Sequence, residues 1–227
     1  MPNPVKLEAE VSEIVDYGDG IYSVKFQLLS GLARFKPGQF LHLALDPYDP
    51  SEGYWPESRV FSMASMPGGK QAEILYSVRG KYTERMSREL AAGKKVWLKF
   101  PYGDFIIENR LAGAKKAVLI AGGTGISPFL PFLRNLPENG GASVSLYYGI
   151  RGKEFYICGD FIESLKGKVE VSVIPGVMDV EAISREIAVE TGIKCFVSGP
   201  PAMIKAYQEK LAAAGLPSEH IIIDAWE

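Results

Sequence analysis

The chain has 227 residues and a formal net charge of -2, and it is 47% hydrophobic and 23% charged. That length buries one large core or two modest ones, and the composition is that of a globular protein. Mixed charge without a basic arm argues against a nucleic-acid surface. The lack of an apolar run of roughly 18 residues argues against membrane insertion.

Residues 5 to 108 read mostly as strands. VKLEAEVSEI, IYSVKFQL, FLHLAL, SRVFSMAS and QAEILYSV are short runs rich in β-branched and aromatic residues, several of them alternating. Gly18-Asp19-Gly20, Lys36-Pro37-Gly38 and Pro67-Gly68-Gly69 separate them as turns. A helix is predicted near Thr83 to Ala91, followed by a strand at KKVWLKF. Many short strands with turn signals predict a small antiparallel barrel.

From about Lys115 the period changes. Strand AVLI leads to helix PFLPFLRNL and strand SVSLYYG. A helical or irregular segment at Phe161 to Leu165 precedes strand KVEVSVI. Helix VEAISREIAVE, strand KCFVSG, helix AMIKAYQEKLAAAG and strand HIIID complete the chain. This alternation predicts a Rossmann-like parallel sheet of five strands. The boundary is placed in the polar stretch ENRLAGA, which gives domains at residues 1–110 and 111–227.

Parallel sheets bind ligands beyond the C-terminal ends of their strands. Two predicted strand ends are glycine-rich, AGGTGISP and VSGPPAM. Gly122, Gly123 and Gly125 allow a sharp turn and close approach to a ligand. Ser127 is placed to cap the following helix and Pro128 to fit its first turn, leaving free N–H groups and a helix dipole toward an anion. Pro128 stands where the last glycine of a GxGxxG fingerprint would be, and no GK[ST] follows, so neither common phosphate motif is present. The alternative is a tight structural turn. Ser198 lies at the mouth of the same expected cleft, where the alternative is a helix cap. After Tyr147-Tyr148-Gly149 no acidic residue waits for an adenosine ribose. Arg151 and Lys153 follow instead. Two cations there suit a 2'-phosphate and favour NADPH slightly over NADH, although a solvated loop explains them nearly as well.

In the first half Arg59-Val60-Phe61-Ser62 is the run of interest. Arginine suits a phosphate through its planar fork, phenylalanine a flat ring, and serine a hydrogen bond to it. Each also has a plain structural explanation: a surface ion pair for Arg59, core packing for Phe61. Gly80, Lys81, Tyr82 and Thr83 form a second helix entry, with Thr83 read as its cap. The polar loop DPYDPSEGYWPES either folds over a ligand or covers the barrel. Cys158 and Cys195 make no disulfide framework and are expected to be buried small hydrophobes. His42 and His220 have no ligand spacing around them, so no metal site is expected.

Taken in order, RVFS, GKYT before a helix, FPYGDF, AGGTGISP and VSGPPAM resemble the ferredoxin–NADP reductase superfamily of flavoprotein reductases. FKPGQF matches a turn before a barrel strand in that superfamily, and the resemblance runs from Val5 to Glu227. It implies FAD on the barrel and a nicotinamide nucleotide on the parallel sheet. Arg59 would contact the flavin diphosphate, with Val60 beside it. Phe61 would pack on the ring system, and Ser62 would sit near its reactive nitrogen. The backbone from Gly80 through Lys81 and Tyr82 to Thr83 would also meet the diphosphate. Gly123, Thr124 and Gly125 would receive the nicotinamide nucleotide, with Gly199 and Pro200 as the opposite wall. Asp224 falls where the superfamily usually has a glutamate near the ring, and Trp226 falls on its C-terminal aromatic position. Serine at 198 replaces the common cysteine, and phenylalanine at 61 replaces tyrosine.

The implied activity is hydride transfer between NAD(P)H, as co-substrate, and bound FAD, with Ser62, Ser198 and Asp224 as catalytic residues. Electrons then pass to a separate acceptor such as ferredoxin, flavodoxin or an oxygenase component. Three alternatives stand beside this expectation. They are a flavin-binding relay subunit of a larger complex, a reductase using free flavin as substrate, and a non-redox nucleotide-binding module. MPNPVKLEAE has no apolar signal-peptide core, so a cytoplasmic location is expected.

Overall fold

The computed structural model describes residues 3–137 and 141–224. The chain divides into two compact units, Met1–Ile106 with Ser127–Asn135 and Ile107–Ile126 with Leu136–Glu227. Among the described residues the α-helices in chain order are α1 (Lys81–Glu89), α2 (Ile107–Arg110), α3 (Leu130–Arg134), α4 (Gly159–Ser164), α5 (Val180–Ala188) and α6 (Pro201–Ala213).

The first unit contains β1 (Val5–Asp16), β2 (Ile21–Leu28), β3 (Phe40–Ala44), β4 (Ser58–Ser62), β5 (Gln71–Ser77) and β6 (Lys95–Tyr102). They pair antiparallel in the order β4-β3-β6-β1-β2-β5. A bridge between Met63 and Ile74 joins the two ends, so the sheet is a nearly closed barrel. Alternation explains the closure. Val24, Phe26, Leu41, Leu43, Leu98 and Phe100 point inward and are fully buried. Each such side chain contributes roughly 1.5–3 kcal/mol of transfer free energy. Gly38 has φ 98°, and a Cβ there would lie 2.9 Å from the Phe105 carbonyl carbon. The turn in FKPGQF therefore needs glycine both for its conformation and for space.

The second unit contains β7 (Lys116–Gly122), β8 (Ser143–Ile150), β9 (Glu170–Pro175), β10 (Ile193–Ser198) and β11 (Ile221–Ile223). All pairs are parallel, in the order β11-β10-β7-β8-β9. The central strands β7 and β10 are apolar almost throughout because both of their faces are covered. Asp179 caps α5 by accepting a hydrogen bond from the Ala182 N–H at 2.9 Å. The fold is thus the expected antiparallel barrel followed by a five-stranded Rossmann-like unit.

Three local expectations are corrected. Helix α1 begins at Lys81, with Gly80 as its N-cap, so Thr83 lies inside the first turn. Its hydroxyl reaches back to accept from the N–H groups of Arg79 and Gly80, at 2.8 and 3.2 Å. After β7 the chain runs as a 3-10 helix over Gly123–Phe129, and α3 starts only at Leu130. Pro128 and Pro131 each remove a donor, which delays the α-helical ladder. Ser127 is therefore inside the 3-10 turn and not a helix cap, and α3 is too short for a dipole argument. Cys195 is buried as expected, but Cys158 is only half-buried and holds a left-handed conformation, φ 54°, at the start of α4.

Candidate functional site

In the parallel unit the two glycine turns meet through their backbones. A Cβ on Gly125 would lie 2.6 Å from the Gly199 Cα, and one on Gly122 would lie 2.6 Å from Met203 Sδ. A Cβ on Gly199 would lie 3.1 Å from the Gly122 Cα. Gly123 has φ 54° and open space where a side chain would go. The loop is thus tight on one side and open on the other, as a ligand-facing turn requires.

Ser198 ends β10 and Asp224 follows β11. The register that pairs Val197 with Ile223 sets the next two residues side by side. The Ser198 hydroxyl donates to Asp224 Oδ2 at 2.9 Å, and the Asp224 N–H donates to the Val197 carbonyl at 2.9 Å. Asp224 is 4% exposed. Burial pushes its carboxyl up to about 7, against the lowering effect of the Ser198 hydrogen bond. Pro200 stands at the N-terminus of α6 as its N-cap, half-buried next to Gly199. Thr124 is half-buried in the turn. Beyond β8, Arg151 and Lys153 are exposed, and the Arg151 guanidinium lies 5.3 Å from the Phe155 ring centroid.

In the barrel unit β4 and the start of α1 come together around Tyr82. Its hydroxyl donates to the Leu43 carbonyl at 2.7 Å and accepts from the Leu45 N–H at 3.2 Å. The Arg59 guanidinium lies over the Tyr82 ring, 4.8 Å from its centroid. Arg59 also pairs with Glu57 at 3.0 Å, and both side chains are exposed. The first α1 backbone bond runs from the Glu84 N–H to the Gly80 carbonyl. The N–H groups of Lys81 and Tyr82 therefore precede the helical ladder. A Cβ at Gly80 would touch nothing within 4 Å.

Val60 pairs with His42 across β3, and Phe61 lies edge-on to Tyr76 at 6.2 Å. Ser62 is 8% exposed. Three residues on, the Ser65 hydroxyl is buried without a partner. Enclosed hydroxyls left unsatisfied cost free energy unless a ligand or water meets them. An exposed arginine, open N–H groups at a helix start and the unsatisfied Ser65 hydroxyl just past β4 fit a flat cofactor with a diphosphate. Among the described residues no group of His, Cys, Asp and Glu can hold a metal ion. Trp226 lies outside the described residues.

Sequence reading missed three contributors. Glu57 was visible only as a loop acid, yet it occupies Arg59. Ser65 gave no signal apart from its place in VFSMAS. The Arg134–Glu73 pair, 61 residues apart, needed the fold.

Residues 119–209 match the oxidoreductase NAD-binding domain family. Across 84% of its length the chain is 30% identical to the reductase component of propane 2-monooxygenase from Rhodococcus jostii, covering 55% of that protein. It is 25% identical to the ferredoxin reductase component of 3-ketosteroid-9-alpha-monooxygenase from Mycobacterium tuberculosis, over 97% of this chain and 65% of that one. A ferredoxin NADP+ reductase from Neisseria gonorrhoeae, solved with bound FAD and NADP, superposes with a TM-score of 0.79 at 19% identity, covering 96% of this chain and 97% of that one. The chain thus shares the fold of a ferredoxin NADP+ reductase and is similar to oxygenase reductase components in sequence. It spans 55% to 65% of the length of those two curated relatives. No helix among the described residues is long and apolar enough to cross a membrane.

Proposed function

We propose that this chain is an NAD(P)H-dependent flavoprotein reductase that passes electrons to a separate acceptor, such as an oxygenase component or a ferredoxin. The observation that carries the reading is the exit of β4, where Ser65 holds a buried hydroxyl that no described residue satisfies, close in sequence to the exposed Arg59. FAD, when bound, supplies the chemistry of taking a hydride equivalent and returning electrons to an acceptor.

The chain's own residues would hold and orient. Arg59 and the N–H groups of Lys81 and Tyr82 would bind the diphosphate, with Gly80 leaving room and Thr83 locking the helix start. Phe61 and Val60 would offer an apolar surface to the ring, and Ser62 a hydroxyl. Gly123, Thr124 and Gly125 would bind the nicotinamide end, with Gly199 and Pro200 opposite. Ser198 and Asp224 would hold a proton beside it. Arg151 and Lys153, exposed beyond β8, favour a nucleotide with a 2'-phosphate. The two functional domains are assigned to residues 1–110 and 111–227.

One observation favours a second reading. Glu57 competes for Arg59 and weakens its hold on a diphosphate, which suits a reductase that uses free flavin as substrate. Gel filtration of the protein with FAD separates the two. A stoichiometric yellow protein that reduces ferricyanide with NADPH or NADH supports the proposed function. A colourless protein that reduces added flavin supports the second reading. A protein inert in both assays overturns the proposal.

A further inference from the structure

Asp224 and Ser198 are enclosed at the C-terminal ends of two neighbouring strands, beside the meeting point of the two glycine turns. The carboxyl has one polar side-chain neighbour, Ser198, and no charged side chain of a described residue acts on it. Its backbone N–H is used by Val197, so that group is held in place while the carboxyl remains without a counter-ion. Such a carboxyl is poised between its two forms near neutrality, and the deciding influence is whatever charge next arrives.

The two forms of a nicotinamide nucleotide differ in that charge. The oxidised ring is a cation and the reduced ring is neutral. A cation against the pair favours the carboxylate, whereas a neutral ring gives it no such support. We propose that the Ser198–Asp224 pair reads the charge of the nicotinamide ring, Asp224 releasing a proton when the oxidised nucleotide binds and keeping it when the reduced nucleotide binds. This rests on the assignment of the glycine turns to the nicotinamide end. By linkage, affinity for the oxidised form rises with pH across the titration of Asp224, by at most about tenfold per pH unit, while affinity for the reduced form does not. The pair thereby tunes product retention against substrate capture without touching the flavin.

Calorimetry of the flavin-loaded protein tests this at pH 7 in two buffers of different ionisation enthalpy. The ligands are NADP+ and 1,4,5,6-tetrahydro-NADP, whose neutral ring cannot give a hydride. The 2'-phosphate is common to both, so its own proton cancels in the difference. The expected result is that NADP+ releases roughly half a proton more than the tetrahydro form. In Asp224→Asn that difference vanishes. Where Asp224→Asn fails to fold, Ser198→Ala serves, and the extra release then moves to higher pH because the carboxylate has lost its donor. Equal proton counts for the two ligands, a difference that survives Asp224→Asn, or a profile unmoved by Ser198→Ala overturns the inference while leaving the reductase reading intact. Failure of both nucleotides to bind overturns the two together.

Discussion

Among the described residues each unit buries one carboxylate, and they are treated differently. Glu73 on β5 is 6% exposed and Asp224 is 4% exposed, and each accepts a hydrogen bond from a serine hydroxyl, Ser23 or Ser198. Only Glu73 also has a cation. Arg134 at the end of α3 reaches it at 3.0 Å and donates to the Ala64 carbonyl at 2.6 Å. A buried acid with a fork-shaped cation is a clamp, here holding α3 against the residues that follow β4. A buried acid with a hydroxyl alone is a proton store. The same side-chain chemistry is thus ion-paired in one unit and shifted by burial in the other, and the difference is one arginine.

The largest expected effect comes from breaking the clamp. Arg134→Met leaves Glu73 buried and unpaired, and should lower stability by about 3–5 kcal/mol in urea unfolding. Glu73→Gln combined with Arg134→Met should recover most of that loss. Equal instability of the single and double variants would show that the pair is not the cause.

The proton store comes next. The folded carboxyl titrates near 7 and the unfolded one near 3.8. The folded state then holds the extra proton between those values, so this group's contribution is fully present below 3.8 and is lost as pH rises to 7. The swing is of the order of 4 kcal/mol at most. Asp224→Asn should flatten the stability profile over that window, measured by urea unfolding at successive pH values. An unchanged slope would mean that another group carries it.

Arg59 and Glu57 form the exposed counterpart of the buried clamp, with solvent in place of enclosure. Arg59→Ala should weaken FAD binding by about 1.5–3 kcal/mol through the lost charged hydrogen bonds, read by fluorescence titration. Glu57→Gln should tighten it slightly, by about 0.2–1 kcal/mol, because an exposed pair is worth little. If Glu57→Gln weakened binding, the acid would be helping to position Arg59 and not competing for it.

The strands were legible because their side chains alternate or run apolar, and the turns because glycine and proline mark them. IYSVKFQL occupies β2 from its first residue to its last. The start of α1 was not, since Thr83 caps from inside the first turn while Gly80 carries no side chain to announce itself. The clamp was hidden for a different reason. Glu73 in QAEILYS reads as an outward residue, but five successive positions of β5 are buried, so alternation says nothing about it. Asp224 and Ser198 were legible as separate residues through the superfamily resemblance. Their hydrogen bond depends on the parallel register of β10 and β11, which no local pattern encodes.

The central claim is that one chain brings a flavin and a nicotinamide nucleotide into redox contact. Anaerobic titration of the FAD-loaded protein with NADPH and, separately, NADH tests it most directly. The account predicts bleaching of the flavin absorbance at one equivalent of nucleotide, with NADPH acting at lower concentration than NADH. A flavin spectrum unchanged by excess of both nucleotides would contradict it.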